Sequence, residues 1–334
     1  IPPGRVTVDG QNWTYLAGAL DVVAHELTHA VINSSSDLIY FNESGALNEA
    51  FADMMGKSAE FFYHPPGSGV GQADYTLGKD VVRGVTVTRN GLRSMAVPTV
   101  FGDPDHYYIR NWRLSEKGEP IDSGYVHDNS GIANHAFYLA IEGGTHRLSR
   151  QTVQGVGAAN REQIEKIFYR AFTLLMPANS TFVTARAATI QAARDLYGTG
   201  SSADRAVTQA WAAVGVPAST WVQTGVVEAR QGIRYDYRLP TTGVYSVNLL
   251  GGDWDRSGDL DIYAVFFTEA CTRWPGLSSS GGLLLPASCV IAKSDSAYGW
   301  ESMRLDVRAN QDVALWVVNP SSRKQQFKFE HFIE

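Results

Sequence analysis

No stretch of this 334-residue sequence approaches the ~20 consecutive apolar residues that a membrane-spanning helix requires, so no span is expected. A basic cluster is also missing. With a net charge of -6, that argues against nucleic acid as a partner and suits a soluble monomer. Cysteine is scarce, with a single pair, Cys271 and Cys289, near the C-terminal end. An even pair in one loop-rich region suits a disulfide in an exported, extracellular protein, and two free buried thiols are the alternative. There are no internal repeats and no low-complexity tail. The chain opens on Ile1 without a charged-then-apolar leader, which reads as a processed product, a cut piece or an incomplete reading frame.

The first two-thirds of the chain carry helical periodicity. Leu16, Leu20, Val23, Leu27 and Val31 recur at three- and four-residue steps and predict a helix over 14–32. Further helices are expected over 46–62, 132–141, 161–176, 181–197 and 203–214, with Gly143, Gly198 and Gly215 as stops. Glycine and proline mark 67–105 as loops with short extended pieces. From 217–224, read as a linker, the texture changes to short alternating runs such as 245–249, 261–265 and 313–317. The expected architecture is a mainly helical lobe over 1–216 followed by a small all-β sandwich over 225–334.

Chemistry concentrates in DVVAHELTHAV (21–31), which contains H-E-x-x-H. Residues four apart share one helix face, so His25 and His29 can offer two imidazoles to one ion, with Glu26 alongside. Hydrolytic zinc takes three protein ligands and keeps a fourth position for water. Glu49, on the second predicted helix, supplies the third. Asp53, one turn further on, can accept the free ring N–H of a liganding histidine, and Asn48 is a second candidate for that task. The competing explanation is a solvated charged helix face. Val22, Val23, Leu27, Ala30 and Val31 flank the motif, however, and suggest an apolar surround in which unpartnered charges are costly.

These residues resemble the thermolysin family of neutral metalloendopeptidases, within the wider gluzincin group. The resemblance rests on DVVAHELTHAV and YFNESGALNEA (40–50), and on LRSM (92–95), GDPDHYY (102–108), VHDNSGIANHAFYL (126–139), GGTH (143–146) and KIFYRAFTLL (166–175). The His₂Glu zinc set is the one generally associated with thermolysin itself. The resemblance implies His25, His29 and Glu49 as zinc ligands and Glu26 as general base toward water. It further implies His127 and Tyr40 as donors to the developing oxyanion, Asp122 as the carboxylate orienting His127, and Arg93 as a residue that binds a substrate carbonyl and helps hold the pocket. Trp13, Leu16, Val22, Leu77, Val81 and Leu92 fall where the family lines an apolar pocket, which implies cleavage before bulky hydrophobic residues. Core packing explains the same six residues.

Asp21, Glu60 and Asp74 match acidic calcium positions, although Lys57 and Lys79 stand among them, so one calcium at most is expected. The family's β-rich N-terminal lobe is not found before the zinc helix. Protein or peptide substrates are therefore expected, along with a missing lobe or propeptide as a possible partner. The alternative reading is a catalytically weak, zinc-stabilised fragment that acts as a binding module. Residues 225–334 resemble the bacterial pre-peptidase C-terminal domain, through GVYSV (243–247), GDLDIY (258–263) and the two cysteines. Asp253, Asp255, Ser257, Gly258, Asp259 and Asp261 imitate an EF-hand start, but its twelfth position is Ala264, so a solvated acidic turn is expected.

Overall fold

A computed structural model describes residues 6–8, 10–67, 69–84, 89–111, 120–218, 221–251, 259–294 and 300–333. The chain divides into two compact units, Ile1–Ala218 and Ser219–Glu334.

The first unit is built on helices. Strands β1 (Val6–Val8) and β2 (Gln11–Trp13) lead into a 3-10 turn at Leu16–Gly18 and then α1 (Leu20–Asn33). The predicted helix over 14–32 thus begins later, because Thr14 is tied to the backbone of Val81 instead. Helix α2 (Asn42–Tyr63) begins four residues before the predicted 46, and Ser44 Oγ ties its first turn to the preceding chain by donating to the carbonyls of Ile39 and Phe41. Gly56 lets α1 and α2 close on each other, since a Cβ there would collide with the backbone of Asp21.

Between α2 and the next helix lie β3 (Thr76–Leu77), β4 (Val82–Gly84) and β5 (Arg93–Ser94). β4 completes a sheet of order β1-β2-β4, and β3 pairs antiparallel with β5, setting Leu77 opposite Arg93. Helix α3 (Asp122–Glu142) extends well before the predicted 132–141. Its first residues, Asp122 to Tyr125, have positive φ and form a left-handed turn before the right-handed helix continues from Val126. Gly143 ends it at φ 74.

A short pair, β6 (Gly144–Thr145) and β7 (Thr152–Val153), precedes α4 (Arg161–Arg170), which passes into a π turn at Ala171–Leu175. Helices α5 (Phe182–Tyr197) and α6 (Ser202–Ala213) follow, capped by the hydroxyls of Thr181 and Ser201. Phe51, Phe137, Phe168, Phe172 and Trp211 are fully buried between these helices. Among the described residues no helix is long and apolar enough to cross a membrane.

The second unit is a β-sandwich. Its strands are β8 (Trp221–Val227), β9 (Gly232–Leu239), β10 (Gly243–Gly251), β11 (Asp261–Phe266), β12 (Val290–Ser294), β13 (Trp300–Val307), β14 (Gln311–Val318) and β15 (Gln325–Ile333). They form two antiparallel sheets, of order β13-β10-β15-β8 and β12-β11-β14-β9. β8 starts inside the stretch read as a linker. Alternation along the strands sends Tyr245, Val247 and Leu249 from one sheet and Ile262, Val313, Leu315 and Val317 from the other into a single core. Cys271, on the short helix α7 (Glu269–Thr272), forms a disulfide with Cys289. The two cysteines pack with Trp316 in a smaller cluster. Asp253, Asp255, Ser257 and Gly258 of the EF-hand-like run lie outside the described residues.

Candidate metal centre

Helix α1 presents His25 and His29 on one face, and α2 crosses it so that Glu49 meets both. Nε2 of His25 lies 3.1 Å from Nε2 of His29. Oxygens of Glu49 lie 3.5 Å from His25 Nε2 and 3.6 Å from His29 Nε2. The edge of a tetrahedron around zinc, with bonds of about 2.05 Å, is about 3.3 Å. Among the described residues, this is the group of three whose ligand atoms converge.

The hydrogen bonds explain why an ion fits there. His25 Nδ1 lies 2.8 Å from Asp53 Oδ1, a carboxylate that can only accept. His29 Nδ1 lies 2.7 Å from Asn48 Oδ1, while Asn48 Nδ2 donates to the Leu38 carbonyl. Both Nδ1 atoms must therefore carry the proton, leaving two Nε2 lone pairs facing each other. Glu49 Oε2 is buried beside them, 3.6 Å from Arg93 Nη2, and has no hydrogen-bond partner among the described residues. Three electron-pair donors turned onto one point, two of them with fixed tautomers, are what a divalent cation would satisfy.

Asp53 is held by more than His25. Arg93, brought in by β5, donates to it twice, from Nε at 2.8 Å and Nη2 at 2.7 Å, and Asn134 Nδ2 on α3 adds a bond at 2.8 Å. Burial alone would raise the Asp53 carboxyl, but the Arg93 charge and these bonds outweigh it and hold the group well below the usual carboxylate range. The resemblance implied that Arg93 binds a substrate carbonyl and helps hold the pocket; in the structure it clamps the carboxylate behind His25. Sequence reasoning missed Asn134, although it stands in the VHDNSGIANHAFYL block.

At the other side of the triad, Tyr40 donates to Glu49 Oε1 at 2.5 Å and its oxygen lies 3.3 Å from His127 Nε2. Asp122 accepts from both His127 Nδ1 (2.8 Å) and the His127 backbone N–H (2.9 Å). The left-handed turn at the start of α3 makes that double contact possible. Gly45 permits the approach, because a Cβ there would strike Val126 and the backbone of Tyr40. A cleft of about 600 Å³ opens over the triad, lined by Glu26, Asn33, Asp37, Leu38, Ile39, Tyr40 and His127 as well as the three ligands and Asn48.

One expectation changes. The flank of the H-E-x-x-H motif is less apolar-buried than expected: Val22 is buried, but Leu27 is 66% exposed and Ala30 is exposed too. α1 packs through its His25–Thr28–Ile32 side, whereas Glu26, Leu27 and Ala30 are exposed. Trp13, Leu16, Val22, Val81 and Leu92 pack on one another at the start of α1, and Leu77 is buried. None of the six lines the cleft over the triad. At the acidic positions matched to calcium, the ammonium groups of Lys57 and Lys79 stand among the carboxylates. Lys57, itself 0% exposed, bonds Asp21 at 3.1 Å, Glu60 more closely and the Thr76 carbonyl at 3.0 Å. Lys79 reaches the other Glu60 oxygen at 2.9 Å, and Asp74 instead accepts from the Thr76 backbone.

Residues 36–216 match the family model described as thermolysin metallopeptidase, alpha-helical domain, and residues 6–33 match thermolysin metallopeptidase, catalytic domain. Bacillolysin of Bacillus cereus is 46% identical over 209 residues, 62% of this chain and 34% of that protein. Thermolysin of Alicyclobacillus acidocaldarius is 43% identical over 208 residues, 62% of this chain and 35% of that protein. The solved precursor of protealysin, a metalloproteinase from Serratia proteamaculans, is 29% identical with a TM-score of 0.48, covering 64% of this chain and 62% of that one. The chain thus spans about a third of the length of the curated relatives it matches.

Proposed function

Because the chain belongs to the thermolysin family of metallopeptidases, we propose that it is a zinc-dependent endopeptidase that hydrolyses bonds within extended peptides. The observation that carries this reading is the convergence of His25, His29 and Glu49 at the floor of a cleft that also holds Glu26, Tyr40 and His127. Zinc bound by the three ligands would supply Lewis acidity toward water and toward the scissile carbonyl.

The remaining work falls to the chain's own side chains. Glu26 is exposed to the cleft one residue after His25, where its carboxylate accepts the proton of the attacking water and returns it to the leaving amine. Tyr40 exchanges its bond to Glu49 for one to the developing oxyanion. His127 Nδ1 is committed to Asp122, so Nε2 is the atom it turns to the same oxyanion, and it donates in the imidazolium form. Asp122 holds that ring in place. Asp53 and Asn48 fix the two liganding imidazoles, and Arg93 keeps Asp53 ionised.

The proposal includes cleavage before bulky hydrophobic residues, as the family resemblance implies. It includes an extracellular location, supported by the Cys271–Cys289 disulfide. It leaves out calcium at Asp21 and Glu60, whose charge Lys57 and Lys79 already balance.

Glu26→Gln, which keeps the size and removes the base, is the test. Cleavage of an unstructured protein such as casein should fall by about 10²-fold or more while zinc content stays at that of the unmodified chain. Undiminished cleavage by the variant would remove Glu26 from the mechanism. Zinc binding with no cleavage by the unmodified chain would favour the binding-module reading.

A further inference from the structure

One acid on the cleft wall is used by neither the metal site nor the fold. Asp37 lines the cleft, is exposed, and has no side-chain partner for its carboxylate among the described residues. It sits at φ 50, the left-handed region that glycine occupies without strain. The turn that contains it is closed by other groups. Ser34 and Ser35 hydroxyls donate back to α1 carbonyls, the Asp37 backbone N–H donates to Ile32 O at 2.8 Å, and Ile39 N–H is tied to Ala178 O at 2.9 Å. Nothing in that bonding needs a carboxylate, and the backbone there would be easier with glycine. The bonds do fix where the charge stands, next to buried Leu38 and three residues before Tyr40.

Among the described residues, no lysine or arginine lines the cleft. Of its carboxylates, Glu49 faces the ion and Glu26 the water, which leaves Asp37 as negative charge open to whatever lies in the cleft. We infer that Asp37 selects for a basic side chain in the bound peptide, on the side of the scissile bond that runs along Leu38 and Ile39. The inference rests on the peptidase reading and adds a substrate class to it: extended peptides with lysine or arginine displaced to one side of the cut. An exposed ion pair of this kind is modest, about two- to five-fold in selectivity, and weakens as salt screens it.

The test uses the full zinc-loaded chain and a peptide set in which lysine, norleucine or glutamate is placed in turn at each position flanking one cleavage site. Two readouts are taken, kcat/KM with the unmodified chain and peptide affinity with Glu26→Gln. Lysine should be favoured over norleucine by about two- to five-fold, and glutamate disfavoured, at positions on one side of the cut. Both effects should shrink at 0.5 M salt and vanish in Asp37→Asn and Asp37→Gly. Asp37→Gly should melt no lower than the unmodified chain, since it relieves the positive φ. Equal handling of lysine and glutamate, or a lysine preference that survives in both variants, overturns the inference while leaving the peptidase reading intact. Failure of every peptide to be cut or bound overturns both.

Discussion

Asp53 shows how much of the site depends on one carboxylate. It accepts from His25, twice from Arg93 and from Asn134, and so links α1, β5 and α3 through α2. Its ionised form fixes the His25 tautomer, which leaves Nε2 free for a metal. Asp53→Asn should therefore weaken zinc binding by about 10- to 100-fold, read by competition with a chelator of known affinity, while far-UV circular dichroism stays unchanged. An unaltered zinc affinity would mean that the contact is packing alone. At this scale the ligands were legible because helix periodicity places residues four apart on one face. Asp53 follows from Glu49 by the same four-residue step, whereas Asn48 was only a second candidate. The Arg93 clamp and Asn134 were not legible, since both contacts join residues from segments far apart in sequence and no local spacing encodes them.

The elements around the site hold each other through a buried ionic knot. Lys57 and Glu60 on α2, Asp21 on α1 and Lys79 beyond β3 share four charges with almost no access to water. Such a network contributes little over an apolar core of the same shape, but removing one member strands the rest. Lys57→Met should cost the first unit about 3–5 kcal/mol, measured by urea unfolding followed through amide exchange in α2. Chelating calcium from the unmodified chain should leave the same transition where it was. A loss under about 1 kcal/mol would show that the knot relaxes or hydrates in the variant. Element boundaries were legible where a cap or a glycine stop marks them, as at Thr181 and Gly143. They were not legible at the start of α3. Its left-handed turn places non-glycine residues at positive φ, and contacts to Asn42 and His127 from outside the turn accompany that geometry. The polar residues of 126–131 also hid the first helical turns behind a loop-like composition.

On the scale of the molecule, a helical unit carries the candidate metal centre and a disulfide-bearing sandwich follows it, each with its own core. That division was visible in the change from three- and four-residue periodicity to alternation. The sandwich core was also visible, because alternating strands declare which face is buried. Exposure around α1 was not, since apolar residues such as Leu27 read the same whether or not something covers them. The central claim is that His25, His29 and Glu49 jointly bind one zinc ion. Zinc K-edge absorption on the fully loaded chain, compared with Glu49→Ala, tests it most directly. The account predicts one zinc per chain, a first shell of two imidazole nitrogens plus oxygens at about 2.0–2.2 Å, and loss of tight binding in the variant. A shell without two histidines, or unchanged tight binding in Glu49→Ala, would contradict it.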